Sequence, residues 1–365
     1  MRAAVLREKL GPFLIEELRD PVPGPGEILV KVAACGVCHS DLHVHNGDVN
    51  FPIPCVLGHE VSGVVAGLGD GATSVREGDR VVAAFIMPCG KCRTCLSGRE
   101  ELCEPFFAHN RLNGTLYDGK TRLFQPDGTP IAMYSMGGLS EFSVMPELAA
   151  AVVPDGLPLN ESAIFGCALL TAFGALRHVA DIQAGETVCV VGTGGVGVNI
   201  VQLARALGAG QVIAVDLGAE KLETAKRMGA TGVVDASGGD PVEMVRELTD
   251  GRGADIVLEA IGLPQTFRQA TEMAADGGRC VMIGIAKMGR LGEVEITRLV
   301  RRKLQILGSF GGRPRSDLAE LMGLAVEGKI DPAAAISERY PLEDAGEAYR
   351  RLARGEIVGR ALVEL

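Results

Sequence analysis

Tryptophan is missing from this 365-residue chain, and the aromatic residues together reach only 4% of it. So little ring surface gives no outline of a stacking pocket. Clustered positive charge is missing too: 36 basic residues stand against 46 acidic ones, a net charge of −10, with no Lys/Arg block anywhere. A nucleic-acid surface needs a basic stripe, so that class of partner is excluded. No apolar run reads as long enough to span a membrane, and Arg2 and Arg7 charge the N-terminus too early for a secretory core. The expected setting is the cytosol, off the membrane. Internal repeats and low-complexity tracts are also absent.

What the chain has is an ordinary folded composition, 47% hydrophobic and 22% charged, over a length that suits two medium domains. It also has ten cysteines. In a reducing compartment these point to metal ligation before disulfides. Cys89, Cys92, Cys95 and Cys103 are separated by two, two and seven residues within one loop. Four thiolates satisfy tetrahedral zinc and leave no open position, so such a site is structural. Lys91, Arg93 and Arg99 in the same loop can offset its negative charge.

A second group of ligand-type residues lies upstream, in Cys35-Gly36-Val37-Cys38-His39-Ser40-Asp41-Leu42-His43 and Gly58-His59-Glu60. A catalytic zinc needs three protein ligands and one free position. Cys38 and His59 supply two, and Cys167, far along the chain in Gly166-Cys167-Ala168, is the candidate third. Two thiolates and an imidazole suit the borderline softness of zinc. Asp41 and Glu60 stand next to these ligands in sequence and can orient them or tune the metal. Cys35, Cys55, Cys189 and Cys280 are expected to pack as small buried hydrophobes.

The first third reads as short strands (28–34, 61–66 and 80–84) between Gly- and Pro-rich turns, a small barrel-like β domain with long loops. From about Glu186 the texture becomes strand–helix alternation, which means a parallel sheet covered by helices. Within it, Val190-Val191-Gly192-Thr193-Gly194-Gly195-Val196-Gly197 follows an apolar strand and opens an amphipathic helix. This is G-x-G-x-x-G in the setting that binds a dinucleotide pyrophosphate at a helix N-terminus. Asp216 ends the next strand, where a carboxylate accepts from a ribose 2′-hydroxyl and repels a 2′-phosphate, so NAD is preferred over NADP.

With these motifs in this order and at these separations, nearly the whole chain resembles the zinc-containing medium-chain alcohol dehydrogenases. The segment with Gly114-Thr115-Leu116-Tyr117-Asp118-Gly119 is similar to the dimeric, liver-type branch. The resemblance implies a GroES-like catalytic domain, residues 1–167 and 311–365, with an inserted Rossmann NAD-binding domain, residues 168–310. It implies two zinc ions per chain, NAD, and a homodimer. Cys38, His59 and Cys167 become the catalytic zinc ligands with Glu60 close by, and Cys89, Cys92, Cys95 and Cys103 hold the structural zinc. Ser40 bonds the alcohol oxygen and starts a proton relay that ends on His43. Gly192, Gly194, Gly195, Val196 and Gly197 form the cofactor loop; Thr171 and Val196 line the nicotinamide. Lys221 matches an adenosine-ribose contact and Arg360 a pyrophosphate contact. Phe85 matches a substrate-pocket wall, with plain core packing as its alternative.

The implied reaction is reversible hydride transfer between an alcohol and NAD, with medium-chain or aromatic primary alcohols favoured. Zinc-dependent polyol or formaldehyde-adduct dehydrogenases share every motif. Glutathione-dependent formaldehyde dehydrogenases of this branch typically carry Thr and Tyr where this chain has Ser40 and His43, which favours a free alcohol. Two readings outside this chemistry are a nucleotide-binding regulatory relative without turnover and a thiol-redox protein built on Cys35 and Cys38.

Overall fold

The run Glu27–Val37 is rich in Val, Ile and Ala and buried at most positions, as a strand covered on both faces must be. It pairs antiparallel with Val61–Leu68, Phe142–Pro146 and, at its far end, Arg360–Glu364. The computed structural model describes residues 1–365. The chain forms two units. The first is Met1–Leu170 with Gly312–Glu327 and Ile336–Leu365; the second is Thr171–Gly311 with Gly328–Ala335.

The first unit holds a seven-stranded sheet centred on Glu27–Val37 and a five-stranded sheet centred on Cys55–Val56. The expected short strands are all present, and two run longer than their local pattern suggested, to Val37 and Leu68. Val37 is held extended by Ala361, a partner that no local pattern reveals. The helix His39–His45 follows at once and brings Ser40, Asp41 and His43 in beside Cys38.

The second unit is a six-stranded sheet in the order Gly232–Asp235, Gln211–Asp216, Thr187–Val191, Ala254–Glu259, Ala274–Met282, Gln305–Gly308. Every neighbouring pair is parallel. In chain order this is 3-2-1-4-5-6, the doubly wound arrangement of dinucleotide-binding sheets. Its core interleaves Val191, Ile213, Val215, Val257 and Cys280 from the strands with Val245, Ala270 and Met273 from the helices.

Two sequence expectations need correction. The resemblance places Gly311 and Gly328–Ala335 in the first unit and residues 168–170 in the second, and the structure groups each the other way; Asp331 N donates to Gln202 Oε1 at 2.8 Å, and Ile330 is buried. One helical stretch, the 20 residues Glu161–Ala180, is after all long and apolar enough to span a membrane by composition. Of its most apolar window 83% is buried inside the protein, the behaviour of a core helix.

Candidate active site

Cys89, Cys92, Cys95 and Cys103 converge so that their sulfurs lie within 4.8 Å of one another. None is in a disulfide. Zinc with Zn–S bonds of about 2.3 Å sets tetrahedral sulfurs about 3.8 Å apart, and Cys89 Sγ is 4.0 Å from Cys95 Sγ. Backbone amides also turn inward: Cys89 N donates to Cys103 Sγ and Cys92 N to Cys89 Sγ, both at 3.3 Å. Burial raises Cys92, but the Thr94 hydroxyl and nearby amides more than reverse this and bring it down to about 6. The loop is anchored by the buried Glu100 carboxylate, which Arg315 grips through both its backbone N–H and its guanidinium. Donor type, spacing and thiolate-stabilising amides all fit a closed zinc site.

The second cluster joins Cys38, His59, Glu60 and Cys167, all buried, with one ligand atom from each within 4.8 Å of the others. Cys38 ends the long strand's exit, His59 and Glu60 immediately precede Val61–Leu68, and Cys167 sits just before the helix Ala168–Gly174. Asp41 fixes the His59 ring: its Oδ1 accepts from His59 Nδ1 at 3.0 Å and from Gly58 N at 3.1 Å. His59 Nε2 is then left buried without a hydrogen-bond partner. A buried bare nitrogen beside two thiols is costly unless something is bound there. The donor set fits an open zinc site, and Asp41 is the outer partner that such a histidine ordinarily carries.

The charges around the cluster agree. The Cys38 thiol lies well below its ordinary range, first because Cys167 hydrogen-bonds to it, then because of Arg360 and His59. Cys167, on the donating side and buried, is pushed well above that range. Burial opposes a charge on His59, yet Asp41 and Cys38 push it up to about 10. Burial drives Glu60 up to about 7 against the pull of Arg360.

Arg360, expected at a pyrophosphate, is buried here against the metal cluster. Its Nη2 is 2.6 Å from Glu60 Oε1 and donates to Cys38 Sγ at 3.5 Å, and its Nη1 donates to Val37 O at 3.3 Å. Ser40 Oγ is 3.8 Å from Cys38 Sγ, and His43 Nδ1 is 3.5 Å from Asp48 Oδ2. Ser40 and His43 are three residues apart on one short helix and share a face. Phe85 packs edge-on to His59, ring centroids 5.9 Å apart, and Tyr134 does the same at 5.7 Å. Sequence reasoning missed Tyr134, Arg111 and Tyr349; Tyr349 Oη donates to Asp41 Oδ2 at 2.8 Å.

In the second unit the glycine loop divides its labour by position. Gly192 has φ +91°, and a Cβ there would lie 2.4 Å from Ile261 Cγ1. A Cβ on Gly197 would come 1.8 Å from Gly192 O, so the helix Gly197–Ala206 approaches the strand only because that residue is glycine. Above Gly194 no atom lies within 4 Å of a Cβ position, which leaves its backbone open to an approaching phosphate. Asp216 Oδ2 accepts from Thr193 N at 2.7 Å and Thr193 Oγ1 at 3.0 Å; Oδ1 accepts from Leu217 N and Gly218 N at 2.8 and 3.1 Å. Lys221 is half-buried on the helix that follows, with Gly218 beside its stem, and Thr171 is buried.

Comparison with known proteins returns the same chemistry. Residues 24–155 match the alcohol dehydrogenase GroES-like domain and residues 195–327 the zinc-binding dehydrogenase domain. An NDMA-dependent alcohol dehydrogenase of Amycolatopsis methanolica is 37% identical over 97% of this chain and 96% of its own. An S-(hydroxymethyl)glutathione dehydrogenase of Synechocystis is 34% identical over 98% of each. The crystal structure of benzyl alcohol dehydrogenase from Acinetobacter calcoaceticus superposes with a TM-score of 0.93 at 28% identity, covering 100% of this chain and 99% of that one.

Proposed function

The chain belongs to the zinc-containing medium-chain alcohol dehydrogenases, and from that membership we propose that it interconverts primary alcohols, medium-chain or aromatic, with their aldehydes, using NAD. The observation that carries this reading is the His59 ring. Asp41 holds one nitrogen, and the other is buried and bare within a cluster that also contains Cys38 and Cys167.

Cys38, His59 and Cys167 would hold the catalytic zinc, and Cys89, Cys92, Cys95 and Cys103 the structural one. Bound zinc supplies a Lewis acid that stabilises negative charge on an alcohol oxygen, and bound NAD supplies a hydride acceptor. The remaining work falls to side chains. Ser40 would accept the alcohol proton while releasing its own hydroxyl proton into a relay that ends on His43, held by Asp48, and from there in solvent; imidazole suits that end because its ordinary pKa lies near neutrality. Arg360 balances the thiolate and Glu60 charge. Phe85 and Tyr134 keep water from their side of His59.

Gly192, Gly194, Gly195 and Gly197 would shape the loop that takes the pyrophosphate, and Thr171 and Val196 would line the nicotinamide. Asp216, with Lys221, takes the adenosine ribose. A carboxylate has about four acceptor directions, and the loop already uses four on Asp216, so a ribose hydroxyl displaces the Thr193 hydroxyl, the one side-chain donor among them. The formaldehyde-adduct reading has the Synechocystis relative in its favour and Ser40 and His43 against it.

The test is NADH formation by the zinc-loaded protein across ethanol, hexanol, benzyl alcohol, secondary alcohols, polyols and the formaldehyde–glutathione adduct. Hexanol or benzyl alcohol should give the highest kcat/KM. An adduct that outruns every free alcohol would replace this reading, and zinc-replete silence across the panel would end it.

A further inference from the structure

Arg111 lies at the end of the helical turn Phe106–Arg111 with its guanidinium carbon over three aromatic rings. It is 4.3 Å from the centroid of Tyr134, 5.4 Å from that of Phe106 and 5.5 Å from that of Phe85. Ring faces attract a cation but accept none of its in-plane N–H bonds. Arg111 Nη1 is buried with no hydrogen-bond partner, and no carboxylate pairs with the side chain. Other buried or half-buried arginines have a carboxylate or carbonyl partner, even where one nitrogen stays unbonded, as in Arg313 and Arg360. Arg122 has Glu27 and Asp118, Arg360 has Glu60 and Val37 O, Arg279 has Glu186 and Ala180 O, and Arg298 has the Thr271 and Glu272 carbonyls. A guanidinium N–H withdrawn from water without an acceptor is costly, and the partner that suits the half-buried fork best is an anion presented in its plane.

Two of the rings that cradle Arg111 are the same ones that pack edge-on against His59: Tyr134 and Phe85. The unpaired charge therefore sits one ring beyond a residue of the metal cluster, within the same unit. We propose that Arg111 is the recognition site for a carboxylate on the far end of the substrate, so that the preferred alcohol is an ω-hydroxycarboxylate, or an aromatic alcohol that bears a carboxylate. Its hydroxyl end lies at the Cys38–His59–Cys167 cluster and its chain runs along Phe85 and Tyr134. This names the substrate class of the reading above and rests on it for the hydroxyl end. The anion site itself stands on Arg111 alone.

The experiment compares ω-hydroxyhexanoate with hexanol and ω-hydroxyhexanamide on the zinc-loaded protein, by calorimetric binding and by NADH formation, in the parent, Arg111→Met and Arg111→Lys. The parent should bind the hydroxycarboxylate at least tenfold more tightly than the amide and favour it over hexanol in kcat/KM. Arg111→Met should cut both ratios at least tenfold, and Arg111→Lys, which keeps the charge but loses the planar fork, should restore part of each. Equal binding of hydroxycarboxylate and amide by the parent overturns the proposal, whether or not any alcohol turns over. Ratios unchanged in Arg111→Met overturn it too. Tight, Arg111-dependent binding with no NADH from any alcohol leaves the anion site standing and overturns the dehydrogenase reading instead.

Discussion

Tyr349 and Asp41 are 308 residues apart in sequence and joined by a 2.8 Å hydrogen bond, Tyr349 Oη donating to the carboxylate oxygen that His59 does not use. A phenol from the C-terminal helix Ala345–Ala353 thus completes the support of a histidine in the first third of the chain. Tyr349 is fixed in turn by stacking on Phe13 at 5.0 Å. Tyr349→Phe keeps the ring and removes only the donor. Zinc at the Cys38–His59–Cys167 site should bind about tenfold more weakly, in line with loss of an outer hydrogen bond to a ligating histidine. Chelator competition checks this, and an unchanged affinity would reduce Tyr349 to packing.

Zinc uptake at that site should depend steeply on pH. In the metal-free protein His59 is pushed up to about 10 and Cys167 well above the ordinary thiol range, whereas Cys38 is held well below that range. Both raised groups hold a proton at neutrality, and both must lose it to ligate. Zinc binding should therefore release about two protons, and affinity should climb by about two decades per pH unit through neutrality and weaken as pH falls. Titration calorimetry in buffers of different ionisation enthalpy counts the protons. A pH-independent affinity is incompatible with this ligand set.

Cys38→Ala and His59→Ala should each bring turnover below detection while zinc content falls from two ions per chain to one. His43→Ala should instead slow turnover about tenfold to a hundredfold, chiefly at lower pH, where solvent is a poor substitute for the relay base. Metal analysis beside a pH–rate profile separates the two classes. Full activity in Cys38→Ala would remove that cysteine from the site.

Asp216→Ser should have two effects of separate origin. Removal of the negative charge lifts the repulsion of a 2′-phosphate, so the NADP/NAD ratio of kcat/KM should rise about a hundredfold. The variant also abandons the Thr193, Leu217 and Gly218 donors, at a cost of about 1–3 kcal/mol in stability. Kinetics with both cofactors and thermal denaturation read these independently. A loss of stability with an unchanged cofactor ratio would make Asp216 a loop cap and nothing more.

The parts of this protein legible in its sequence are those whose chemistry is local. Cys89, Cys92, Cys95 and Cys103 are close in the chain because one loop must wrap one ion. Gly192, Gly194 and Gly197 are spaced by the geometry of a single strand-to-helix turn. Cys167 was harder and came from residue type and family resemblance together. What stayed hidden is contact across long separations. Nothing near Tyr349 marks it as the donor to Asp41; in its helix it looks like one more residue on an apolar face. The tie of Arg360 to Glu60 is equally invisible, because the two lie at opposite ends of the chain. Arg111 is inconspicuous in the sequence, because an arginine between Gly- and Pro-marked turns looks solvated until the three rings around it are placed.

The strand Arg360–Glu364 pairs with Glu27–Val37, the first long strand of the chain. During synthesis the early residues leave the ribosome with that edge uncovered and with Asp41 lacking its phenol. At ordinary translation speeds the wait for Arg360–Glu364 is roughly tens of seconds. In that interval the run Thr171–Gly311, which holds all six strands of the parallel sheet, has been made. The half that carries both cysteine clusters stays open, its thiols exposed to stray metal and its strand edge to other chains. Tyr349 and Arg360–Glu364 close the metal site, so a ribosome that stalls before them leaves every strand of the nucleotide-binding sheet made and the catalytic unit unfinished.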